Sequence, residues 1–218
     1  MSFESYRLKG RVASLLMVLF PIITVITSVL LSLFGFSTSA NPYLSFIFVI
    51  PNFAFYILFL VGMNGFARYY DDPKIFKNSL YALIVSITGG IASLIVTYTF
   101  VTPILDQLST YITSPGNFPP ISVISSILQV FVFIWVSVSV IGILNGFFYR
   151  RAFYALAEKS GENNFKQAGL FMFIGGILMI IFIGSLLYFI GLIFAILGFF
   201  SMKPKSSQKY SVKETPSN

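Results

Sequence analysis

Four stretches of this chain, residues 12–67, 78–105, 107–149 and 167–202, contain no charged side chain. Soluble domains carry roughly a quarter charged residues, whereas this chain of 218 residues carries 10% and is 56% hydrophobic. Too few charges remain to clothe a water-facing surface, so lipid must cover much of it. Within lipid every backbone N–H and C=O has to be satisfied inside the segment, which points to helices. The chain therefore reads as an all-α, polytopic transmembrane helix bundle.

A bilayer core of about 30 Å takes roughly 20 apolar residues in a helix. The first stretch breaks at Ser37-Thr-Ser-Ala-Asn-Pro-Tyr43, a polar turn with a helix-stopping proline. Spans are expected near 12–36, 44–66, 79–104 and 121–148, with Asp106 to Pro120 as a polar loop. The first run, 25 residues long, exceeds the apolar core of a signal peptide, about 7–15 residues. It reads as a retained span behind a short cytoplasmic N-terminus, residues 1–11.

Residues 167–202 are harder, since 36 uncharged positions make about 54 Å of helix. One tilted helix or a hairpin of two short ones would both fit. Charge parity favours the hairpin, with spans near 168–183 and 186–202. All 14 Lys and Arg fall at 7–11, 68–77, 150–166 and 203–213, and the 37–43 and 105–120 loops have none. With six spans every basic residue faces one side, which is then cytoplasmic; with five, the basic tail would lie outside. Gly169 and Gly176, and Gly184, Gly191 and Gly198, recur every seven residues, with a step of eight between the sets. That step turns the glycine face by about 100°, so a break near Gly184-Ser185 is expected. Residues 203–218 read as a basic, disordered cytoplasmic tail.

Three short anchors occur twice in the same order. Asn64-Gly65-Phe66 is echoed by Asn145-Gly146-Phe147, Phe76-Lys77 by Phe165-Lys166, and Gly89-Gly90-Ile91 by Gly175-Gly176-Ile177. They suggest a weak parallel repeat, with copies near 63–93 and 144–178, in which a helix leaves the membrane inward, turns and re-enters. Asp72-Pro73 supplies an N-cap with proline at the first helical position. Gly161 suits a left-handed helix stop. The segment Tyr149 to Lys159 is expected to extend the fourth helix past the bilayer. Its Tyr149, Phe153 and Leu156 face reads as an interfacial anchor, or as an arm for lipid or a partner.

The stretch Arg150-Arg-Ala-Phe-Tyr-Ala-Leu-Ala-Glu-Lys-Ser-Gly161 is followed by Asn164-Phe-Lys-Gln-Ala-Gly-Leu170, Phe173-Ile-Gly-Gly-Ile-Leu178 and Phe199-Phe-Ser-Met202. With Tyr69-Tyr-Asp-Asp-Pro-Lys-Ile-Phe-Lys-Asn78 upstream, this pattern resembles an archaeal and bacterial membrane family, domain of unknown function 996. The resemblance covers most of the chain and is sharpest over 150–202. It implies a multi-pass membrane protein and carries over no activity, catalytic residue or ligand residue.

The chain has no His and no Cys, which removes the commonest general base and metal ligand and every thiolate. Intramembrane ionisable groups usually mark pumps, voltage sensors and proteases, and the expected spans hold none. We therefore expect no catalytic residue, metal site or cofactor. Asp71, Asp72, Glu158 and Glu162 lack the spacing of a calcium loop and read as solvated partners of nearby Lys and Arg. The basic residues flank apolar runs, where anionic headgroups rather than nucleic acid are the expected partner.

The polar groups left within the spans are neutral. Asn52, beside the kinking Pro51, and Gln129 lie deep, where an amide satisfies freed backbone groups or bonds across helices. Asn64 and Asn145 lie nearer the cytoplasmic ends and read as caps or bridges; Arg150 and Arg151 read as interfacial cations. Ser86 with Gly90, Gly89 with Ser93, and Gly142 with Gly146 form small-residue seams. The reading reached is a non-catalytic structural or interaction protein of the cell membrane, packing with lipids, other membrane proteins or itself. The alternative is a passive facilitator for a small neutral solute, with Asn52, Gln129, Thr88, Thr97 and Thr99 converging on one cavity.

Overall fold

The structure is a computed structural model that describes residues 2–33, 42–112, 119–181 and 183–204, without the side chains of 32, 42–50, 52 and 112. Among the described residues all regular structure is helical. Helix α1 spans Phe3–Leu33, α2 Pro42–Tyr70, α3 Pro73–Val96, α4 Thr102–Ile112, α5 Ile121–Ser160, α6 Asn163–Leu178 and α7 Ile183–Ser201. A π turn, Thr97–Val101, joins α3 to α4 in one rod.

The π turn has a local cause. Pro103 has no N–H to donate and its ring would clash with the carbonyl one turn back, so the helix widens just before it. The Thr102 N–H and hydroxyl both reach back to the Thr97 carbonyl, the hydroxyl at 3.2 Å. Residues 106–112, expected as loop, therefore continue the rod. Leu105, Leu108 and Ile112 keep helical spacing there, and no breaker precedes Pro115. Ser109 and Thr110 donate their hydroxyls to the Asp106 and Gln107 carbonyls at 2.7 Å each.

Five helical segments, Phe3–Leu31, Pro73–Tyr111, Ile121–Ser160, Asn163–Ile181 and Ile183–Ser201, are long and apolar enough to cross a membrane. Helix α2, with 29 residues and no charge before Arg68, has the length of a sixth. The helices form a ring in chain order: α1 on α2, α2 on α3, α3 on α5, α5 on α6, α6 on α7, with α7 closing against α1.

Residues 167–202 form the expected hairpin, but its break lies earlier. A 3₁₀ turn at Met179–Ile181 ends α6, and α7 already includes Gly184 and Ser185. The reason is backbone proximity: a Cβ on Gly175 would sit 2.7 Å from the Gly184 carbonyl oxygen and 2.6 Å from the Tyr188 nitrogen. Gly184 must already be on the returning helix to pack there. The two glycine heptads do face different neighbours. Gly184, Gly191 and Gly198 lie against α6, whereas Gly169 and Gly176 lie against α5.

Of the small-residue seams, Gly142-x-x-x-Gly146 packs on α6 and Gly89 on Ile141 of α5. Gly90 faces open space, with nothing within 4 Å of an added Cβ. Of the expected turn at residues 37–43, residues 37–41 lie outside the described residues and Pro42 and Tyr43 already begin α2; of the expected tail, 203–218, all but residues 203 and 204 lie outside them.

The buried core sits at one end of the ring. Phe66, Phe153, Phe165 and Phe199 are fully buried there, with Met63, Leu156 and Met172. Towards the other end α1, α3 and α5 turn large apolar side chains outward, including Val25, Leu94, Ile95 and Leu128. The Tyr149, Phe153 and Leu156 face belongs to the core and is neither an interfacial anchor nor a free arm. Tyr149 and Phe153 ring-pack on Phe59 of α2, and Phe153 stacks on Phe165 of α6 at 5.9 Å. Helix α5 does run on to Ser160, as expected of that segment.

Candidate functional site

The described cations gather around that aromatic core. Arg7, Lys9 and Arg11 lie on the first turns of α1, Arg68 ends α2, and Lys74 and Lys77 begin α3. Arg150, Arg151 and Lys159 lie on the last turns of α5, Lys166 begins α6 and Lys203 follows α7. Ring contacts join these helix ends: Phe199 of α7 meets Phe59 and Phe66 of α2 and Phe165 of α6, at 6.3, 5.9 and 5.0 Å.

Helix α1 closes the end by capping α7. The Arg7 guanidinium donates to the Met202 carbonyl at 2.9 Å, and Arg11 donates to the Phe199 and Phe200 carbonyls at 2.9 and 2.8 Å. These are C-terminal carbonyls with no partner inside their helix, and a cation there also complements the helix dipole. Arg11 further lies over the Phe200 ring, 4.6 Å from its centroid. The start of the first span and the end of the last are thus in direct contact. Arg11→Gln is expected to loosen α7 at about 1 kcal/mol, read as a lower thermal midpoint and faster amide exchange over residues 195–202.

The two turns at this end share a design. Asp71 takes a left-handed conformation (φ 54°), and the Asp72 N–H returns to the Ala67 carbonyl at 2.9 Å, a Schellman closure. Gly161 is left-handed as expected (φ 73°), and its N–H returns to the Ala157 carbonyl at 2.8 Å. An acidic cap follows in each case. The Asp72 carboxylate accepts from the Lys74 N–H at 3.0 Å, with Pro73 in the first turn. Glu162 accepts from the Asn164 N–H at 3.4 Å and from its side-chain amide at 2.7 Å. Asp72 is thus the N-cap expected of it, and Glu162, expected as a solvated partner of Lys and Arg, is a helix cap as well.

The paired anchors expected from the repeat differ in their surroundings. Phe66 is fully buried while Phe147 is exposed beneath Arg151, 4.5 Å from its ring centroid. Phe76 is half-buried and Phe165 fully buried; Lys77 and Lys166 are both exposed. Arg150 lies between the Tyr154 and Phe173 rings, at 5.3 and 4.9 Å. Asn64, Arg68, Asp71, Phe76 and Lys77 line a cavity of about 310 Å³ at the first turn. Nearby Tyr70, four residues beyond the apolar span, is buried with its hydroxyl unpartnered among the described residues. Burial and adjacent Tyr69 push its phenol above its ordinary range.

Asn145 is the polar node of the bundle. Its amide donates to the Ser86 hydroxyl and to the Ala82 carbonyl, the latter at 3.3 Å, and its oxygen accepts from the Tyr188 hydroxyl at 3.1 Å. One side chain thus ties α5 to α3 and α7, the bridging role expected for it. Sequence marks Ser86 only as a small packing residue and does not mark Tyr188; a lone Tyr hydroxyl within an apolar run was the available signal. Asn145→Leu should cost about 1 kcal/mol or somewhat more, since intramembrane side-chain bonds run roughly 0.6–2 kcal/mol. Unfolding in mixed micelles checks it, with Ser86→Ala as the milder comparison.

Among the described residues, Gln129 and the three threonines do not line one common cavity. Gln129 is exposed in a groove with Val96, Phe100 and Phe133, and Thr97 lines an adjoining groove that shares Val96 and Phe133. Thr88 and Thr99 are exposed and line neither, and the Asn52 side chain lies outside those described.

A model of the family described as "Protein of unknown function (DUF996)" matches residues 52–193. The chain belongs to that family. The family region covers both turns, the 310 Å³ cavity and Asn145 with its partners, and leaves out the Arg7–Arg11 clamp and Phe199. An uncharacterised protein of Methanocaldococcus jannaschii is 28% identical over 151 residues, covering 67% of this chain and 76% of the relative. No solved structure matches.

Proposed function

We propose that this DUF996 protein is a non-catalytic, multi-pass protein of the cell membrane that acts by packing with lipids and other membrane components. In this reading its basic end faces the cytoplasm, with both termini there, and rests on anionic headgroups. The gathering of Arg7, Arg11, Arg68, Lys77, Arg150 and Arg151 around one aromatic core carries the proposal. Cations on that scale attract an anionic leaflet by about 1 kcal/mol each near the surface. The absence of His and Cys from the sequence and the engagement of Asn145 with its neighbours support a non-catalytic role.

The test is lipid dependence of stability. The thermal midpoint of the purified protein should rise when phosphatidylglycerol replaces phosphatidylcholine in the surrounding micelle. High salt should shrink the gain, because surface charges are screened. Equal midpoints in both lipids at low salt would remove the basis of this reading.

A further inference from the structure

We infer that the cavity at the first turn is a binding site for one phosphodiester lipid headgroup bearing free hydroxyls. The inference rests on the proposed contact with anionic lipid and assigns it to particular residues. The cavity is about 310 Å³ and its wall combines Asn64, Arg68, Asp71, Phe76 and Lys77. Arg68 and Lys77 are exposed, and among the described residues neither is in an ion pair or a hydrogen bond. The half-buried Asn64 amide likewise has no hydrogen-bond partner among them. Two cations and a carboxylate share one cavity without pairing, which leaves a net single positive charge for a ligand.

The geometry suits a headgroup. The Schellman closure from Asp72 to Ala67 fixes Asp71 in its left-handed conformation at the cavity wall. A phosphodiester carries one negative charge and matches Arg68 and Lys77, Arg by a planar fork of donors and Lys as a point charge. Asp71 is an acceptor that would repel phosphate but receive headgroup hydroxyls. Phe76 gives the wall an apolar side, and the cavity lies just past the uncharged run that ends at residue 67.

At the second turn the residues that match Asn64 and Arg68 in sequence are both buried. Asn145, the counterpart of Asn64, is buried with its amide engaged by α3 and α7. Tyr149 stands where Arg68 does, four residues on, and is buried.

The test uses the full chain in neutral detergent, with retention of added lipid read by native mass spectrometry. Phosphatidylglycerol should be retained in preference to phosphatidylcholine, and Arg68→Gln/Lys77→Gln should lower that retention roughly tenfold. Lys74→Gln/Lys203→Gln removes the same charge from the same end and should leave most of it. Equal loss from both double variants would overturn the cavity while leaving the general anionic-lipid reading intact. No preference of the native chain for phosphatidylglycerol would overturn both. Soluble glycerophosphoglycerol and inorganic phosphate form the second arm: binding of either with no lipid retained would overturn the lipid assignment. If the double variant unfolds, the single variants Arg68→Gln and Lys77→Gln carry the comparison, each with a partial loss expected.

Discussion

Replacing Phe199 with alanine should cost the protein about 3 kcal/mol, the low end of the usual range for a buried phenylalanine. The low end applies because lipid tails are themselves apolar, so transfer from water contributes less inside a membrane protein than the cavity left behind. That cavity would be central. Phe199 is fully buried and meets Phe59, Phe66 and Phe165. Its ring also covers Gly10 of α1, where an added Cβ would lie 2.7 Å from it. The substitution therefore loosens α1, α2 and α6 together. Leu197→Ala, on the same helix but 46% exposed, should change stability little. Reversible unfolding in mixed micelles, followed by tryptophan fluorescence or by proteolysis, measures both.

Gly176→Leu should be damaging for the opposite reason, too much volume. A Cβ there would meet the Gly142 carbonyl, with the carbonyl carbon at 2.8 Å and the Ile143 Cα at 3.2 Å. The obstacle is backbone, so α5 and α6 must separate instead of repacking a side chain. Overpacking of this kind costs about 1–3 kcal/mol, occasionally more; here the whole α5–α6 seam is forced open, which puts the effect at the upper end. Gly90→Ala is the contrast. Nothing lies within 4 Å of its Cβ, and replacing a mid-helix glycine should be neutral or stabilising by up to about 1 kcal/mol.

The spans were legible because a charge-free run of some twenty residues leaves few structural choices. The turns were legible where chemistry is local: Asp72-Pro73 caps α3 and Gly161 ends α5 as their residue types dictate. What sequence misplaced has physical reasons. The Tyr149, Phe153 and Leu156 face reads the same whether it meets lipid or protein, since both are apolar, and only the fold puts it in the core. The break at residues 179–181 carries no glycine or proline; it follows from how closely Gly175 approaches Gly184 across the hairpin. Helix α4 was masked by its polar residues, whose hydroxyls bond back to helix carbonyls.

At the candidate site the cations and Asn145 were legible by type, but their partners were not. Arg7 and Arg11 reach carbonyls nearly the whole chain away, a pairing that no local pattern encodes. Charge parity nevertheless predicts that the chain enters and leaves the bundle at the same end, and the clamp joins those two helix ends. The adjacent Phe199 and Phe200 make the same point on a small scale, one fully buried and the other 49% exposed.

The orientation of the basic end is tested most directly by impermeant thiol labelling, because the chain has no cysteine of its own. Single cysteines at Thr110 and Ser185 would report one end of the bundle, and at Glu158 and Lys203 the other. On intact cells we expect Thr110→Cys and Ser185→Cys to label, and Glu158→Cys and Lys203→Cys to label only after permeabilisation. Labelling of Lys203→Cys from outside, with Glu158→Cys protected, would contradict six crossings and the cytoplasmic placement of the basic end.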